Sequence, residues 1–487
     1  MVRIVPSACV AETLNESGDR SSTQTPARLG SPSRLALPHL PLRPRPLLAV
    51  TVLVATLAGS CGGEPKSQTP IDPPPKPPVD APVVITNVTV IPMTSATTVL
   101  SGQTVVINNG LVSFIGTANA PIPAGAVTVD GTGKFLLPGY SDMHGHFTRR
   151  EELFLYLANG ITTLRNMAGY AWQVALRDSI RNNLAPQLAG LPLQGPNFLT
   201  AGPAMQVGGH PAFGGPSIDS PTAARNAIAT QRQWGVDLVK VYTLLSEPTY
   251  RAILDEATKA GLPVGGHTAV GVGLLNVLQG YPEGRQSTVE HLDGYLPNGQ
   301  LDAAEQQLED LTIQNGVWNT FTLGIRVNQA TLNSLKASEP DGVQYMCSGR
   351  VNSWRNESVV NHNLPEYRAL IKRLFDQGAK LMIGSDAYAT YAVPGFAFHR
   401  ELEAAVGAGL TPYQALSLAT RAPAEYLKRT ATTGTVEVGK RADLVLLDAN
   451  PLVDIRNSSK VRAVFINRVY YSRTMLDQML VAADCPN

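Results

Sequence analysis

The sequence is poor in cysteine and carries almost no net charge. Only four of its 487 residues are Cys, and no pair follows a Cys-x-x-Cys or Cys/His zinc spacing, which argues against a thiolate metal site. An oxidising compartment would permit a bridge between Cys347 and Cys485, but no sequence argument brings these two residues together. The formal charge of +1 offers no basic or acidic excess for a macromolecular partner. We therefore expect a small-molecule substrate and no nucleic-acid partner.

Long apolar runs are also missing, with one exception near the start of the chain. The run Leu47–Ser60 follows several arginines and has the length of a signal-peptide core, too short to span a bilayer comfortably. It ends in LAGSC, which resembles a bacterial lipoprotein signal, although Ala58 stands where a larger aliphatic residue is usual. We predict export to the periplasm or cell surface, with a lipid anchor at Cys61; ordinary signal cleavage is the alternative.

Composition divides the chain into five segments. We predict a leader over 1–60, a Pro-rich tether over 61–82, and a barrel over 135–425 between two β-rich ends, 83–134 and 426–487. Turns such as NNG and DGTG between alternating apolar residues indicate short strands. The two ends are expected to build one small β-sandwich domain.

The middle of the chain alternates strands and helices. Segments such as EPTYRAILDEATKAG have apolar residues at helical spacing and separate short apolar runs. Eight strands with intervening helices over about 250 residues is what a (β/α)8 TIM barrel requires, whereas a doubly wound open sheet is the alternative within the α/β class. The predicted strands are 135–144, 160–167, 197–202, 236–242, 262–268, 287–292, 317–323 and 379–386.

Chemically versatile residues concentrate at the ends of these predicted strands. In a barrel of this kind the active site lies at the C-terminal ends of the strands. Four of the eight histidines fall there, together with a lysine inside the apolar run DLVKVY and an aspartate after the eighth strand. The set is His144, His146, Lys240, His267, His291 and Asp386.

This set has the chemistry of a metal centre. Two histidines separated by one residue on a strand point to the same side and can chelate one cation. Imidazole and carboxylate ligands suit zinc or another first-row divalent ion, which makes hydroxide available at neutral pH. A neighbouring carboxylate can take a proton from that water and pass it to the leaving group.

Each residue also has a structural interpretation. A lone strand-end histidine such as His267 or His291 is more often structural, and Asp386 could cap a turn or a helix. Lys240 is unusual because an unpaired ammonium group is costly to bury. One site explains all six residues at once, so we favour the metal centre.

The motifs that carry these residues resemble those of the amidohydrolase superfamily. PGYSDMHGH, the Lys of VDLVKVY, the His of VGGHT and of VEHL, and the Asp of IGSDA have its order and spacing. The tail from PGFAFHRELEAAVGAG to GKRADLVLLDANPLVDI is similar to the branch with imidazolonepropionase-like and prolidase-like hydrolases. The resemblance covers about residues 83–475 and implies a (β/α)8 barrel, with a β-sandwich built from both chain ends and a binuclear metal site.

The resemblance also implies a division of the ligands between two metal ions. His144, His146 and Asp386 would hold the more buried ion, and His267 and His291 would hold the second. Two divalent ions are therefore expected, with zinc favoured.

The same resemblance gives Lys240 a role. Its amine would be carboxylated by CO2 and would bridge both ions as an anion, which removes the cost of burying an ammonium. Superfamily members with one metal lack this lysine. The implied catalytic residues are Asp386 and His291, the second of them also a metal ligand.

Residues that contact the substrate are harder to identify. We predict His210, in the Gly-rich segment MQVGGHPAFGG, and Tyr242, on the same side of its strand as Lys240; a loop-stabilising role is the alternative for His210. Arg326 could pair with a carboxylate but is interpreted as solvated, and Tyr388 is expected to narrow the pocket. Three other residues are interpreted as structural or loop positions: His362, His399 and Glu403.

Together these patterns predict an exported hydrolase that cleaves a C–N bond in a small amide, such as a dipeptide or N-acyl amino acid. A metal-bridging hydroxide would attack the carbonyl, and Asp386 would return the proton to the departing amine. The alternatives are a cyclic amide, lactone, carbamate or ester at the same site, or an inert binding protein. All six ligand positions are filled, which argues against inertness. Substrate, metal identity and oligomeric state stay open.

Overall fold

The computed structural model describes most of the chain after residue 80. The described residues are 81–117, 120, 122–182, 187–188, 191–192, 195–296, 305–360 and 363–485, all within the compact unit Ile71–Asn487. The predicted leader, the lipidation site Cys61, nearly all of the tether and His362 lie outside these residues.

The described residues form eighteen β-strands. In chain order they are β1 (Val83–Val90), β2 (Leu100–Asn108), β3 (Leu111–Gly116), β4 (Val127–Asp130), β5 (Phe135–Pro138), β6 (Tyr140–Gly145), β7 (Ile161–Asn166), β8 (Gln187–Leu188), β9 (Leu191–Pro192), β10 (Asn197–Thr200), β11 (Val239–Val241), β12 (Val264–Gly266), β13 (Thr288–Glu290), β14 (Trp318–Phe321), β15 (Leu381–Ile383), β16 (Leu444–Leu447), β17 (Val461–Ile466) and β18 (Val469–Ser472).

The described residues also form fourteen α-helices, with short 3-10 turns at Val343–Tyr345 and Ile455–Ser459. Among them, no helix combines the length and the apolar character needed to cross a membrane. In chain order they are α1 (Glu152–Ala158), α2 (Ala171–Arg181), α3 (Pro221–Trp234), α4 (Glu247–Ala260), α5 (Leu274–Gln279), α6 (Glu305–Gln314), α7 (Leu323–Ala330), α8 (Leu332–Ala337), α9 (Ser348–Asn356), α10 (Leu364–Asp376), α11 (Phe396–Gly407), α12 (Pro412–Leu418), α13 (Arg421–Tyr426) and α14 (Arg473–Ala482).

The helices begin and end where side-chain chemistry dictates. Ser220 and Ser246 precede α3 and α4, and each serine hydroxyl accepts a hydrogen bond from a backbone N–H of the first turn. Both helices have proline at their start, where no N–H is needed. Gly235 and Gly261 end them in the left-handed conformation, with φ of 82° and 69°.

Eight parallel strands make up the barrel, in the order in which they occur in the chain. β6, β7 and β10 form one ladder and β11 to β15 form a second. A parallel bridge between Ala201 and Leu238 joins the ladders, and at the other junction the Asp386 N–H donates to the His144 carbonyl (2.6 Å). The residues of most of these strands are buried, as expected for a parallel sheet covered by helices. The predicted α/β fold class is confirmed.

Both ends of the described chain contribute to a separate eight-stranded sheet. Its order is β18-β17-β16-β5-β1-β2-β3, with β4 paired to β1. Buried aliphatic residues such as Ile85, Val105, Leu136 and Leu444 fill its core. The C-terminal strands therefore return to pair with strands formed by the N-terminal part, as the sequence pattern predicted.

The first predicted barrel strand, 135–144, is in fact two strands. β5 pairs with β16 in the accessory sheet, whereas β6 pairs with β7 in the barrel. Gly139 lies between them and donates its N–H to the Asp443 carbonyl (2.8 Å). A side chain there would collide with Thr162, so glycine is needed for the chain to pass from one sheet to the other.

The two cysteines whose pairing the sequence left open form a disulfide. The Cα atoms of Cys347 and Cys485 are 5.0 Å apart, although 138 residues separate them in the sequence. Cys347 immediately precedes α9, and Cys485 follows α14. The bond therefore ties the long excursion between β14 and β15 to the C-terminal end of the described chain.

Candidate metal centre and substrate pocket

Six side chains come from the C-terminal ends of five barrel strands. Each lies in the last residues of its strand or within three residues after it, so the parallel order of the barrel brings them to one face. They are His144 in β6 and His146 directly after it, Lys240 in β11, His267 after β12, His291 after β13 and Asp386 after β15.

Three of these side chains form a compact cluster. Each of His144, His146 and Asp386 offers one ligand atom within 4.8 Å of the others. The Asp386 Oδ1 lies 3.2 Å from Nε2 of His146 and 3.4 Å from Nε2 of His144. This is the His-His-Asp set that the HxH motif and the strand-eight aspartate predicted.

The other three side chains lie directly beside this cluster. The Lys240 Nζ is 3.4 Å from Nε2 of His144. The ring of His291 has its centroid 4.5 Å from that of His144 and 4.5 Å from that of His267. All six predicted ligands therefore meet in one place.

Burial and neighbouring charges set the protonation of this group. Burial, with the nearby Lys240 ammonium, lowers the pKa of His144 to about 3, and burial also lowers the pKa of His146 and His291. Burial alone would raise the pKa of Asp386, but His144 and His291, with a hydrogen bond from His146, hold it well below its usual range. The imidazoles of His144, His146 and His291 are thus neutral and the carboxylate ionised at neutral pH, the forms that bind a cation.

Two of these residues have backbone conformations that are rare for side chains of their size. His291 has a φ of 63° and Asp386 a φ of 47°, both in the left-handed region. Such strain is found where a site dictates the direction of a side chain. Here it aims both side chains at the same point.

A buried ion pair that the sequence analysis missed orients His144. The Nδ1–H of His144 donates a hydrogen bond to the Glu290 carboxylate (2.7 Å). The same carboxylate accepts a hydrogen bond from the Arg165 guanidinium (2.8 Å). All three side chains are buried. The proton on Nδ1 leaves the Nε2 lone pair free to face the cluster. Charged residues inside the buried strands TVE and ITTLRN were the available signal.

The other two strand-end histidines have partners of the same kind. His267 Nδ1 hydrogen-bonds to the Asp293 carboxylate, and His291 Nδ1 pairs with the Thr322 hydroxyl (2.8 Å). Metal-binding histidines commonly engage their second ring nitrogen in this way. Neither partner was identified from the sequence.

The donor set fits a metal ion. Four imidazoles, one ionised carboxylate and one amine converge without a thiolate, which suits zinc or another first-row divalent ion. The Nδ1 of His146 is buried and has no hydrogen-bond partner among the described residues. A buried imidazole nitrogen without a hydrogen-bond partner costs free energy unless a bound ion or small molecule interacts with it.

The cluster lies at the bottom of a cavity of about 450 Å³. Its walls include both predicted substrate residues, His210 and Tyr242, and also Tyr388, as expected. Arg326 lines it as well, so its interpretation as a solvated residue is wrong. The Arg326 guanidinium lies 3.4 Å from the centre of the Tyr367 ring, which holds it in the pocket wall.

His210 is held as a neutral hydrogen-bond donor. Its Nδ1 accepts from the backbone N–H groups of Ala212 and Phe213, both at 3.1 Å, so the ring proton lies on Nε2. Burial, with the cationic groups around it, lowers the pKa of His210 to about 4. Its ring centroid is 4.5 Å from that of Tyr242, and this pair forms one side of the pocket.

His399 lies away from the centre, in keeping with its structural interpretation. It is buried, with Nδ1 3.0 Å from the Ser458 hydroxyl and Nε2 3.1 Å from the Asn159 carbonyl. Both ring nitrogens are therefore used within the fold.

Comparison with known proteins agrees with this fold. The model of the amidohydrolase family matches residues 240–468, which include Lys240 and Asp386. Ochratoxinase from Aspergillus niger is 23% identical over 434 residues, covering 75% of this chain and 81% of that protein. A putative prolidase from Bifidobacterium longum is 26% identical, with a TM-score of 0.65 over 83% of this chain and 100% of that one. A Xaa-Pro dipeptidase with bound methionine is 20% identical, with a TM-score of 0.62 over 80% of this chain and 100% of that one.

A parallel barrel with a His-His-Asp cluster at its C-terminal face, together with the match to the amidohydrolase model, supports a hydrolase that acts on carbon–nitrogen bonds. The match to the amidohydrolase family model and the likeness to a putative prolidase agree with the resemblance that the motifs indicated.

Proposed function

We propose that this protein hydrolyses the amide bond of a small substrate that carries a carboxylate, such as an N-acyl amino acid or a dipeptide. The observation that carries the proposal is the convergence of six ligand-type side chains on a cavity that also holds two arginines, Arg326 and Arg350. Similarity to a putative prolidase and to an ochratoxinase supports the same bond type.

The ligand set has room for two divalent ions, with zinc the favoured metal. His144, His146 and Asp386 would hold one ion, and His267 and His291 the other. When bound, the ions supply Lewis acidity towards the amide carbonyl and lower the pKa of water.

Lys240 is proposed to carry a carboxyl group on its amine. It is buried, and none of the described carboxylates forms a salt bridge with it. Burial lowers the pKa of Lys240 to about 8, so that part of the amine is neutral near pH 7. A neutral amine can attack CO2: the N–C bond forms, the nitrogen loses a proton, and the product is an anionic carbamate. That anion would bridge the two ligand groups.

The remaining chemistry falls to Asp386 and its neighbours. The ionised Asp386 accepts a proton from the attacking water and delivers it to the amine nitrogen as the C–N bond breaks. His291, whose Nδ1 lies 3.9 Å from Asp386 Oδ2, would act beside that carboxylate as a ligand of the second ion. His210 and Tyr242 line the cavity, and the Nε2–H of the first and the hydroxyl of the second would donate to the substrate carbonyl or carboxylate.

A substrate screen tests the proposed bond type. Protein loaded with zinc is incubated with panels of N-acyl amino acids, dipeptides, lactones, carbamates and esters, and released amine or acid is quantified. We expect turnover within the first two panels. Turnover confined to lactones or esters, or none in any panel, would contradict the proposal.

We also propose that the protein is exported and held at a membrane by a lipid on Cys61. The disulfide Cys347–Cys485 supports an oxidising compartment. Cys61→Ser should release soluble protein after export, because the lipidated residue is lost, whereas the wild type should partition with membranes. Fractionation followed by immunoblotting measures this. Wild-type protein found entirely in the soluble exported fraction would exclude the anchor and leave ordinary signal cleavage.

A further inference from the structure

Two guanidinium groups line the substrate cavity, but they are held very differently. Arg326 stacks on Tyr367, and its Nη2 donates to the His291 carbonyl at 3.2 Å. These contacts fix Arg326 against the backbone of a predicted metal ligand. Arg350 lies elsewhere in the wall, and no hydrogen bond to any of the described residues holds its guanidinium.

Arg350 is a cation in the pocket without an anionic partner. Its guanidinium carbon lies 5.1 Å from the centre of the Tyr388 ring, and the side chain is half-buried. Among the residues that the structure describes, no side chain or carbonyl accepts a hydrogen bond from its guanidinium, and no carboxylate lies within 4.0 Å. A partly desolvated guanidinium favours a planar anion that can accept two hydrogen bonds, and a carboxylate has that geometry.

The helix that carries Arg350 is fixed to the wall of the pocket. Its buried residues are Val351 and Trp354, and Trp354 Nε1–H donates to the Tyr388 carbonyl at 3.3 Å. The Tyr388 hydroxyl in turn donates to the buried Glu152 carboxylate. Arg350 and the ring beneath it are thus held by one continuous set of contacts.

The disulfide fixes the beginning of the same helix. Cys347 immediately precedes α9, and its carbonyl accepts the Arg350 N–H at 2.9 Å. Its partner Cys485 follows Ala483, whose carbonyl accepts from Arg149 at 3.1 Å. The covalent bond therefore joins the helical turn that carries Arg350 to a tail that is itself held against the barrel.

We propose that Arg350 is a specificity-determining residue that binds the substrate carboxylate, and that the Cys347–Cys485 disulfide positions it. This inference rests on the proposed amide hydrolysis and names the substrate group that the same site selects. It predicts that the oxidised enzyme prefers substrates with a free carboxylate and loses that preference on reduction.

Matched substrates test the role of Arg350. An N-acyl amino acid is compared with its N-methylamide, which keeps the scissile bond but lacks the negative charge, and release of the acyl acid is measured. Arg350→Gln should lower kcat/KM for the acid roughly 10- to 100-fold, mainly through KM, because a charge-assisted pair is lost. For the methylamide, Arg350→Gln and the wild type should have the same kcat/KM. Arg350→Lys, which keeps the charge, should recover part of the loss.

The disulfide is tested with the same substrate pair. The double variant Cys347→Ser/Cys485→Ser and wild type reduced with a phosphine should both show the selective rise in KM for the acid. Reducing the double variant should change nothing further, which controls for other effects of the reductant. Circular dichroism and metal content verify that each sample is folded and loaded.

Distinct outcomes separate this inference from the proposed function. Equal rates for acid and methylamide in wild type, or an equal loss for both in Arg350→Gln, would overturn the role of Arg350. An unchanged KM for the acid after removal of the disulfide would overturn its positioning role. If neither substrate is cleaved, the proposed function fails. In that case calorimetry, which measures binding of the free amino acid, decides whether Arg350 binds a carboxylate. Tighter binding to wild type than to Arg350→Gln supports it, and equal binding overturns it.

Discussion

Lys240→Ala should yield a folded protein with no measurable amide hydrolysis and with less bound metal. A carboxylated lysine would provide an anionic bridge between the two groups of ligands. Alanine has no ligand atom, so the variant loses this bridge. Turnover of an N-acyl amino acid and elemental analysis of the same sample measure the two effects. Added formate or acetate should restore part of the activity by filling the vacated space with another carboxylate.

A matched control distinguishes this result from a general effect of losing a lysine. Lys259 lies on α4, is exposed, and pairs with Asp255 at 2.8 Å. Lys259→Ala should leave activity and metal content unchanged, since an exposed ion pair of this kind contributes little. An unmodified amine at Lys240 in fully active, metal-loaded protein would contradict the bridging role and favour a site centred on His144, His146 and Asp386.

Asp386→Asn should lower kcat roughly 10²- to 10⁴-fold, the contribution expected of a general acid–base. The amide of asparagine cannot accept the proton from water or return it to the departing amine, and it is also a poorer ligand for a cation. Steady-state kinetics on the metal-loaded variant measures the change.

The control for this variant is an exposed aspartate away from the pocket. Asp376 is exposed at the end of α10 and pairs with Lys372. Asp376→Asn should retain wild-type kinetics. If Asp386→Asn keeps its full metal content and loses less than about tenfold in kcat, proton transfer must be assigned to another group.

The barrel and the ligand set could be predicted because both leave local signals. Parallel strands buried on both faces are short apolar runs, and the histidines and the aspartate of the site stand at or just after their C-terminal ends. Lys240 is the clearest case, since a charged residue inside the buried strand β11 is costly without a partner or a chemical role. The first strand was misjudged because only Gly139 separates β5 from β6 in the sequence. The pairing of β5 with β16, far along the chain, is what makes them two strands.

The residues that support the site depend on contacts between distant parts of the chain. Glu290 reaches His144 from another strand, 146 residues away. Arg326 enters the pocket because Tyr367, which follows two further helices, provides the ring on which it stacks. The disulfide joins residues 138 positions apart. No periodicity or spacing in the sequence encodes these pairings, so they became visible only in three dimensions.

The central claim is a binuclear metal site in an amide hydrolase, and metal content tests it most directly. Elemental analysis of active protein, purified without chelators, should find about two divalent ions per chain, with amide turnover falling as a chelator removes them. Active protein that contains one ion or none per chain would contradict the account.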